Sequence, residues 1–272
     1  MNNSSTRRRL PMTVLGIVFL AVMIFPVYWM LNSSLQGNSG AASTEFLPFH
    51  PTFSGYAQAL DEQGQNFVTS LIVALGTVVL TLVIATPAAY GLARFRTRGG
   101  SVFLLVLLIT QMIPIMVIAN ALYPIFNSLF LINNVLGLIL ANTAAGIPFA
   151  VLLIRAFMGA IPWALVEAAM VDGAGTLRAF VSIVVPISKN AIVTAALFTF
   201  LSAWSDFLFA LTLTSTPEVR PITLGIYDYI NANTQDWSAV MATAVLASVP
   251  AALLLIFAQR YIAAGAVSGA IK

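Results

Sequence analysis

This 272-residue chain has no cysteine, one histidine (His50) and two lysines, and only 8% of its residues are charged. Each shortage excludes something. Without cysteine there is no disulfide framework, no thiolate metal site and no thiol nucleophile. One histidine cannot supply the paired ligands of a helical zinc site. Neither lysine stands in a Gly-x-x-x-x-Gly-Lys-Ser/Thr loop, since Lys189 lies in Ile-Ser-Lys-Asn and Lys272 is the last residue, so the chain has no P-loop for ATP. An ordinary soluble domain is about one quarter charged. With 60% hydrophobic residues, the apolar excess here has to face lipid. The expectation is an integral membrane protein that is not an enzyme, with no cofactor, no metal and no nucleic-acid partner. The formal net charge of +3 is less informative than where its charges lie.

A bilayer core takes about 20 apolar residues per helix. Six stretches meet that length: 12–31, 67–93, 102–122, 135–157, 191–214 and 238–258. The third and fourth come from one uncharged run, 99–154, which Pro124, Asn127, Asn133 and Asn134 divide into a hairpin. The predicted fold is all-α and polytopic, one transmembrane domain over 1–272. Pro26, Pro87, Pro114, Pro148 and Pro250 are expected inside five of the six helices, either as tolerated kinks or as bends in movable helices that line a path. Arg7, Arg8 and Arg9 precede the first span as in a secretory signal, and small residues at 40–43 imitate a cleavage site. The apolar run exceeds the about 7–15 residues of a signal core, so a retained signal-anchor is expected.

Alternating the six spans puts 11 of the 12 basic residues on the side of the two termini and the loops 94–101 and 155–190; only Arg220 lies opposite, with Glu45, Asp61, Glu62, Glu218, Asp228 and Asp236. By the positive-inside rule both termini are predicted to be cytoplasmic.

Asp206, in Ser202-Ala203-Trp204-Ser205-Asp206-Phe207, is the one acid inside the six spans. A carboxylate at the bilayer centre costs about 3 kcal/mol, so it should face protein or a wet cavity. It is a translocation-path or gate residue, or else an interfacial carboxylate bonded to Ser205 or a neighbouring helix. Trp204 beside it is a path contact, or an interfacial anchor or packing residue.

The most informative segment is the cytoplasmic loop 158–190. Pro162 suits a first helical turn, residues 163–170 contain no breaker, and Gly173 and Gly175 end the helix. A second short helix is expected over 176–182 before Pro186 redirects the chain. Ala168, Ala169, Gly173 and Ala174 would let another backbone approach closely, and Glu167 and Asp172 are the only acids on an otherwise basic side. This is a docking knob for a partner, or an ordinary amphipathic surface helix.

Glu167-Ala168-Ala169, Asp172-Gly173-Ala174, Phe180, Ile183 and Pro186 together resemble the EAA loop of bacterial ABC-importer permeases. The likeness extends over nearly the whole chain, through Ala89-Tyr90-Gly91-Leu92-Ala93-Arg94-Phe95, Trp204-Ser205-Asp206-Phe207 and Gly269-Ala270-Ile271-Lys272. It is nearest the carbohydrate-uptake (maltose-type) group, and within it the smaller of two permeases. Asn190 and Ser205 depart from the pattern, where many relatives carry proline and asparagine. The resemblance implies a multi-pass subunit of the bacterial inner membrane, in contact with membrane lipid. It implies a second homologous permease, two ATPase subunits that dock on the EAA helix, and an extracytoplasmic sugar-binding protein. It also implies ATPase-coupling roles for Glu167, Ala168, Ala169, Asp172, Gly173, Ala174 and Pro186. The competing readings are an ion-gradient-driven secondary transporter, for which the chain offers only Asp206, and a membrane enzyme or scaffold.

Overall fold

The computed structural model describes residues 4–37, 45–95, 99–231 and 236–270; the stretch 40–43, Arg96, Arg98 and Lys272 lie outside the described residues. The described residues are helical, with no strand among them. In chain order the α-helices are α1 (Ser4–Ser34), α2 (Ser54–Arg94), α3 (Gly100–Thr110), α4 (Ile115–Ser128), α5 (Val135–Met158), α6 (Ala164–Val171), α7 (Thr176–Ala179), α8 (Val185–Ile187), α9 (Lys189–Trp204), α10 (Leu208–Leu213), α11 (Ile222–Asn231) and α12 (Trp237–Ala270). A π turn, Phe180–Val184, joins α7 to α8.

Four of these helices contain stretches long and apolar enough to cross a bilayer: Met12–Ser34, Ser54–Arg94, Val135–Met158 and Trp237–Gln259. Two bent pairs, Gly100–Thr110 with Ile115–Ser128 at 97° and Thr176–Ile187 with Lys189–Trp204 at 75°, bring the number to as many as six if each pair is one span.

Breaks in the helices correct two sequence expectations. The stretch 102–122 is not one helix: it breaks at 111–114, and Pro114 caps α4 from outside with φ −58° and ψ 133°. Proline disfavours a helical residue before it, so the break falls where the ring clashes. Pro124, expected to end a helix, lies inside α4. The fifth stretch, 191–214, is interrupted between Trp204 and Leu208. α2 also starts well before the predicted residue 67, because residues 54–66 contain no helix breaker beyond Gly64 and the helix simply projects past the apolar segment.

Two compact units make up the chain, Met1–Gly64 with Ile226–Val249, and Gln65–Gly225 with Pro250–Lys272. In the first, α1 exposes apolar side chains around its whole girth, including Leu15, Phe19, Val22 and Phe25. A helix apolar on every face sits in lipid or against another membrane helix. Its polar end is tied down: the Asn32 and Gln36 side-chain amides both donate to the Glu45 carbonyl, at 2.8 and 2.9 Å, and Ser34 Oγ pairs with the Tyr56 hydroxyl at 2.7 Å. The Tyr229 hydroxyl donates to Glu62 Oε2 at 2.5 Å. Burial and then the Glu62 carboxylate push that phenol above its ordinary range.

The second unit is built round α5, the most enclosed of the candidate spans. Asn134 caps it, its side chain accepting from the Leu136 N–H at 2.9 Å. Small residues bring the helices close. Gly146 of α5 faces Thr81 of α2 and Thr199 of α9, and Ala85, Ala89, Ala150 and Ala195 are fully buried in the same core. Close approach through small side chains is how membrane helices associate where lipid removes the hydrophobic drive.

Candidate functional site

The loop that carried the sequence argument folds as a helical hairpin. Pro162 opens the first turn, its carbonyl accepting from Leu165, and the Trp163 carbonyl accepts from Val166 and Glu167. Glu167 lies in the first turn of α6, where a carboxylate interacts favourably with the helix dipole. The far end closes as a Schellman motif: the Gly173 N–H donates to the Met170 carbonyl at 3.1 Å and the Ala174 N–H to the Ala169 carbonyl at 2.9 Å. Gly173 has φ +88°, a left-handed conformation that a Cβ disfavours. Gly175 then starts α7, its carbonyl accepting from Ala179.

One face of α6 looks inward. Trp163, Val166 and Met170 recur at i, i+3 and i+7, and Val166 is fully buried in the core with Ala89, Tyr90 and Ile154. The other face is open. Leu165, Glu167, Ala168 and Asp172 are exposed, Ala169 and Ala174 half-buried, and Val171 and Leu177 project with 87% and 75% of their surface accessible. Of the seven coupling candidates, Glu167, Ala168, Ala169, Asp172, Gly173 and Ala174 thus fall within one capped helix and its turn. Pro186 stands apart, exposed in α8. It does not redirect the chain as expected: helix continues through Ile187 and the direction changes at Ser188. A π turn that ends two residues before Pro186, which has no N–H, gives the chain an irregular ladder at this point.

Trp204 and Asp206 occupy the opposite end of α9, which spans 16 residues, or about 24 Å. Trp204 is buried and stacks on Phe200 with centroids 5.7 Å apart and planes 10° from parallel. Asp206 is half-buried at the break before α10. Its two carboxylate oxygens accept from the N–H groups of Phe209 and Ala210, each at 3.2 Å, and Asn142 Nδ2 of α5 approaches Oδ2 at 3.5 Å. The Thr223 hydroxyl donates to the Asp206 carbonyl at 2.6 Å. The acid therefore satisfies orphan donors of a broken helix.

Tyr90 and Arg94 lie in the 89–95 segment of the family resemblance and carried no predicted role. Both reach the hairpin from the end of α2. The Tyr90 ring lies 4.8 Å from that of Phe180 and 6.1 Å from that of Trp163. The Arg94 guanidinium stands over Trp163 at 5.5 Å and donates to Met170 Sδ at 3.5 Å. The available signal was an arginine one helical turn after an aromatic residue. Among the described residues no group of three or more His, Cys, Asp or Glu could hold a metal.

The described residues thus form an all-helical chain with several helices long and apolar enough to cross a membrane, two bent helix pairs and one short helix closed by a glycine turn. The chain belongs to the family of binding-protein-dependent transport system inner membrane components, whose model matches residues 81–267. The galactooligosaccharides transport system permease of Bacillus subtilis is 31% identical over 97% of this chain and 96% of its own. The trehalose transport system permease of Mycobacterium tuberculosis is 30% identical over 98% of both. The sulfoquinovosyl glycerol transport system permease of Agrobacterium fabrum is 30% identical over 94% of this chain and 91% of its own. Among solved structures, a chain of a bacterial ABC transporter for import of the acidic polysaccharide alginate superposes with TM-score 0.84 at 22% identity, covering 96% of this chain and 98% of that one. A chain of the methionine transporter MetNI superposes with TM-score 0.61 at 15% identity, over 76% and 97%. The fold is that of an ABC-importer permease.

Proposed function

We propose that the chain is the membrane permease of an ATP-driven carbohydrate importer, working over 1–272 as a single module. It pairs with a second homologous permease, docks two separate ATPase subunits, and takes sugar from an extracytoplasmic binding protein. The observation that carries this is the α6 hairpin, a rigid capped knob whose exposed face joins Leu165, Val171 and Leu177 to the acid Glu167. It lies on the side that holds 11 of the 12 basic residues, which orients it to the cytoplasm with both termini. An apolar face with one carboxylate suits a protein cleft that holds a basic residue. The named relatives that carry galactooligosaccharides, trehalose and sulfoquinovosyl glycerol support a sugar or glycoside as cargo.

Closure of the ATPase dimer would move α6 as a body, because its ends are fixed by the Trp163 and Gly173 turns and its centre by Val166. The moving hairpin pulls helices it is joined to, exchanging inward for outward access. Trp204 and Asp206 lie at the far end of α9 and shape the path through the geometry of the break between α9 and α10. The ion-gradient alternative is set aside: the one acid available to it is engaged in capping, and the relatives are permeases of transport systems. The test is co-purification of a tagged chain with co-produced second permease and ATPase subunits, followed by uptake of radiolabelled trehalose, maltose and galactobiose into proteoliposomes loaded with ATP and supplied outside with the binding protein. Association without ATP-dependent uptake of any glycoside would defeat the cargo class. No association would defeat the importer reading.

A further inference from the structure

α6 is joined to the membrane helices in two ways. The covalent route runs through α7, the π turn and α8 and bends by 75° before α9. A route with an irregular hydrogen-bond ladder and a sharp bend is not one continuous helical rod. The second route is non-covalent and leads into α2, which continues unbroken for 41 residues.

We infer that Arg94 and Tyr90 form a clamp that makes α2 follow α6, so that the transport stroke enters the membrane through α2. The inference rests on the importer reading and assigns positioning residues within it. Arg94 touches both ends of the inward face of α6, Trp163 before its first turn and Met170 in its last. A guanidinium that spans seven residues of one helix senses that helix as a rigid body. Its contacts are a π face and a sulfur, partners that tolerate small sliding and favour Arg over Lys because the planar cation stacks. Tyr90 adds the lateral hold. Tyr90 is buried, and its ring packs against both Trp163 of the α6 turn and Phe180, where the π turn begins. Its hydroxyl has no hydrogen-bond partner among the described residues. The ring therefore supplies the contact, and Phe should replace it without loss.

The chain's lack of cysteine makes the experiment direct. Val83 on α2 and Leu177 on α7 are both exposed, so Val83→Cys with Leu177→Cys gives one spin-label pair across the clamp. The full complex, with second permease, ATPase subunits and the sugar-binding protein, is reconstituted in proteoliposomes and compared before and after trapping with ATP and vanadate. With the clamp intact the label distance stays fixed and ATP hydrolysis is normal. Arg94→Gln and Tyr90→Leu should each let the distance distribution shift on trapping and lower glycoside uptake per ATP hydrolysed by about fivefold, the equivalent of one cation–π contact for Arg94 and of one aromatic pair for Tyr90. Tyr90→Phe should match the parent, and Arg94→Lys should fall between. A fixed distance and unchanged uptake per ATP in both Arg94→Gln and Tyr90→Leu would overturn the clamp. So would loss of assembly in those two variants accompanied by parental distances in Arg94→Lys. A parent complex that hydrolyses no ATP would overturn the importer reading and the clamp together.

Discussion

Asn142 of α5 and Asp206 at the head of α10 meet across two membrane helices, Nδ2 to Oδ2 at 3.5 Å, while the same carboxylate receives the first N–H groups of α10. A charge in the fifth stretch is thereby spent on holding a break in place. The polar groups exposed by a broken helix inside a bilayer have to be satisfied by protein, and a carboxylate with two oxygens does this for two donors at once.

Asp206→Ala should cost about 1 kcal/mol, the usual worth of a helix cap, and lower the melting temperature of the purified protein by about 2–4 °C. Asp206→Asn keeps one acceptor and should lose less. Thermal unfolding followed by tryptophan fluorescence in detergent reads both; an Asn variant less stable than the Ala variant would contradict the capping role.

Gly173 occupies the left-handed residue of the Schellman turn. Gly173→Val should cost about 1–2 kcal/mol in backbone strain and misplace Glu167, so that the protein reaches the membrane but ATP-dependent uptake is lost. Gly173→Asn, tolerated at such positions, should retain most of it. Equal uptake by the Val variant would show that the turn is irrelevant to coupling.

Glu167→Lys should leave expression and membrane insertion unchanged, since the residue is exposed in this chain. Reversal of a charge that becomes covered by a partner removes about 3–5 kcal/mol from that contact. The ATPase subunits should then drop out on co-purification. Their retention at parental stoichiometry would count against docking through Glu167.

Gly137→Ala and Gly76→Ala separate backbone from side-chain crowding. A Cβ at Gly137 would sit 2.1 Å from the Leu131 carbonyl oxygen, whereas at Gly76 it would meet the mobile Cδ1 of Ile139 at 2.6 Å. The first should destabilise by about 1–3 kcal/mol, as overpacking does, and the second by less. Melting temperatures of the two variants compare them, and the reverse order would refute the assignment of the rigid contact.

A fluorescent reporter that matures only in the cytoplasm, fused after Lys272, should be bright. A dark fusion with normal membrane abundance would reverse the orientation on which the hairpin's exposure to ATPases depends.

Much of this molecule was legible before folding because lipid imposes simple length and polarity rules. The span 135–157 differs from the observed Val135–Met158 by one residue at its far end, and the expected 163–170 helix lies close to Ala164–Val171. Asparagine at a helix start and glycine at its end are local signals, readable from neighbours alone. The breaks were not. Pro114 and Pro124 are alike in sequence, yet one caps a helix and the other lies inside one. Which proline interrupts depends on whether nearby helices re-satisfy the freed carbonyls.

Scarcity of charge was enough to place the chain in a membrane, because transfer of a charge into hydrocarbon outweighs local preferences, and the distribution of the few basic residues predicts which way it faces. The amino-acid order also marked α6 and its glycine turn. Tertiary structure alone decided that Asp206 would cap a broken span and that Tyr90 and Arg94 would grip a hairpin some 70 to 90 residues further along the chain. Contacts between distant residues depend on which helix faces pack together, and period and composition carry no record of that choice.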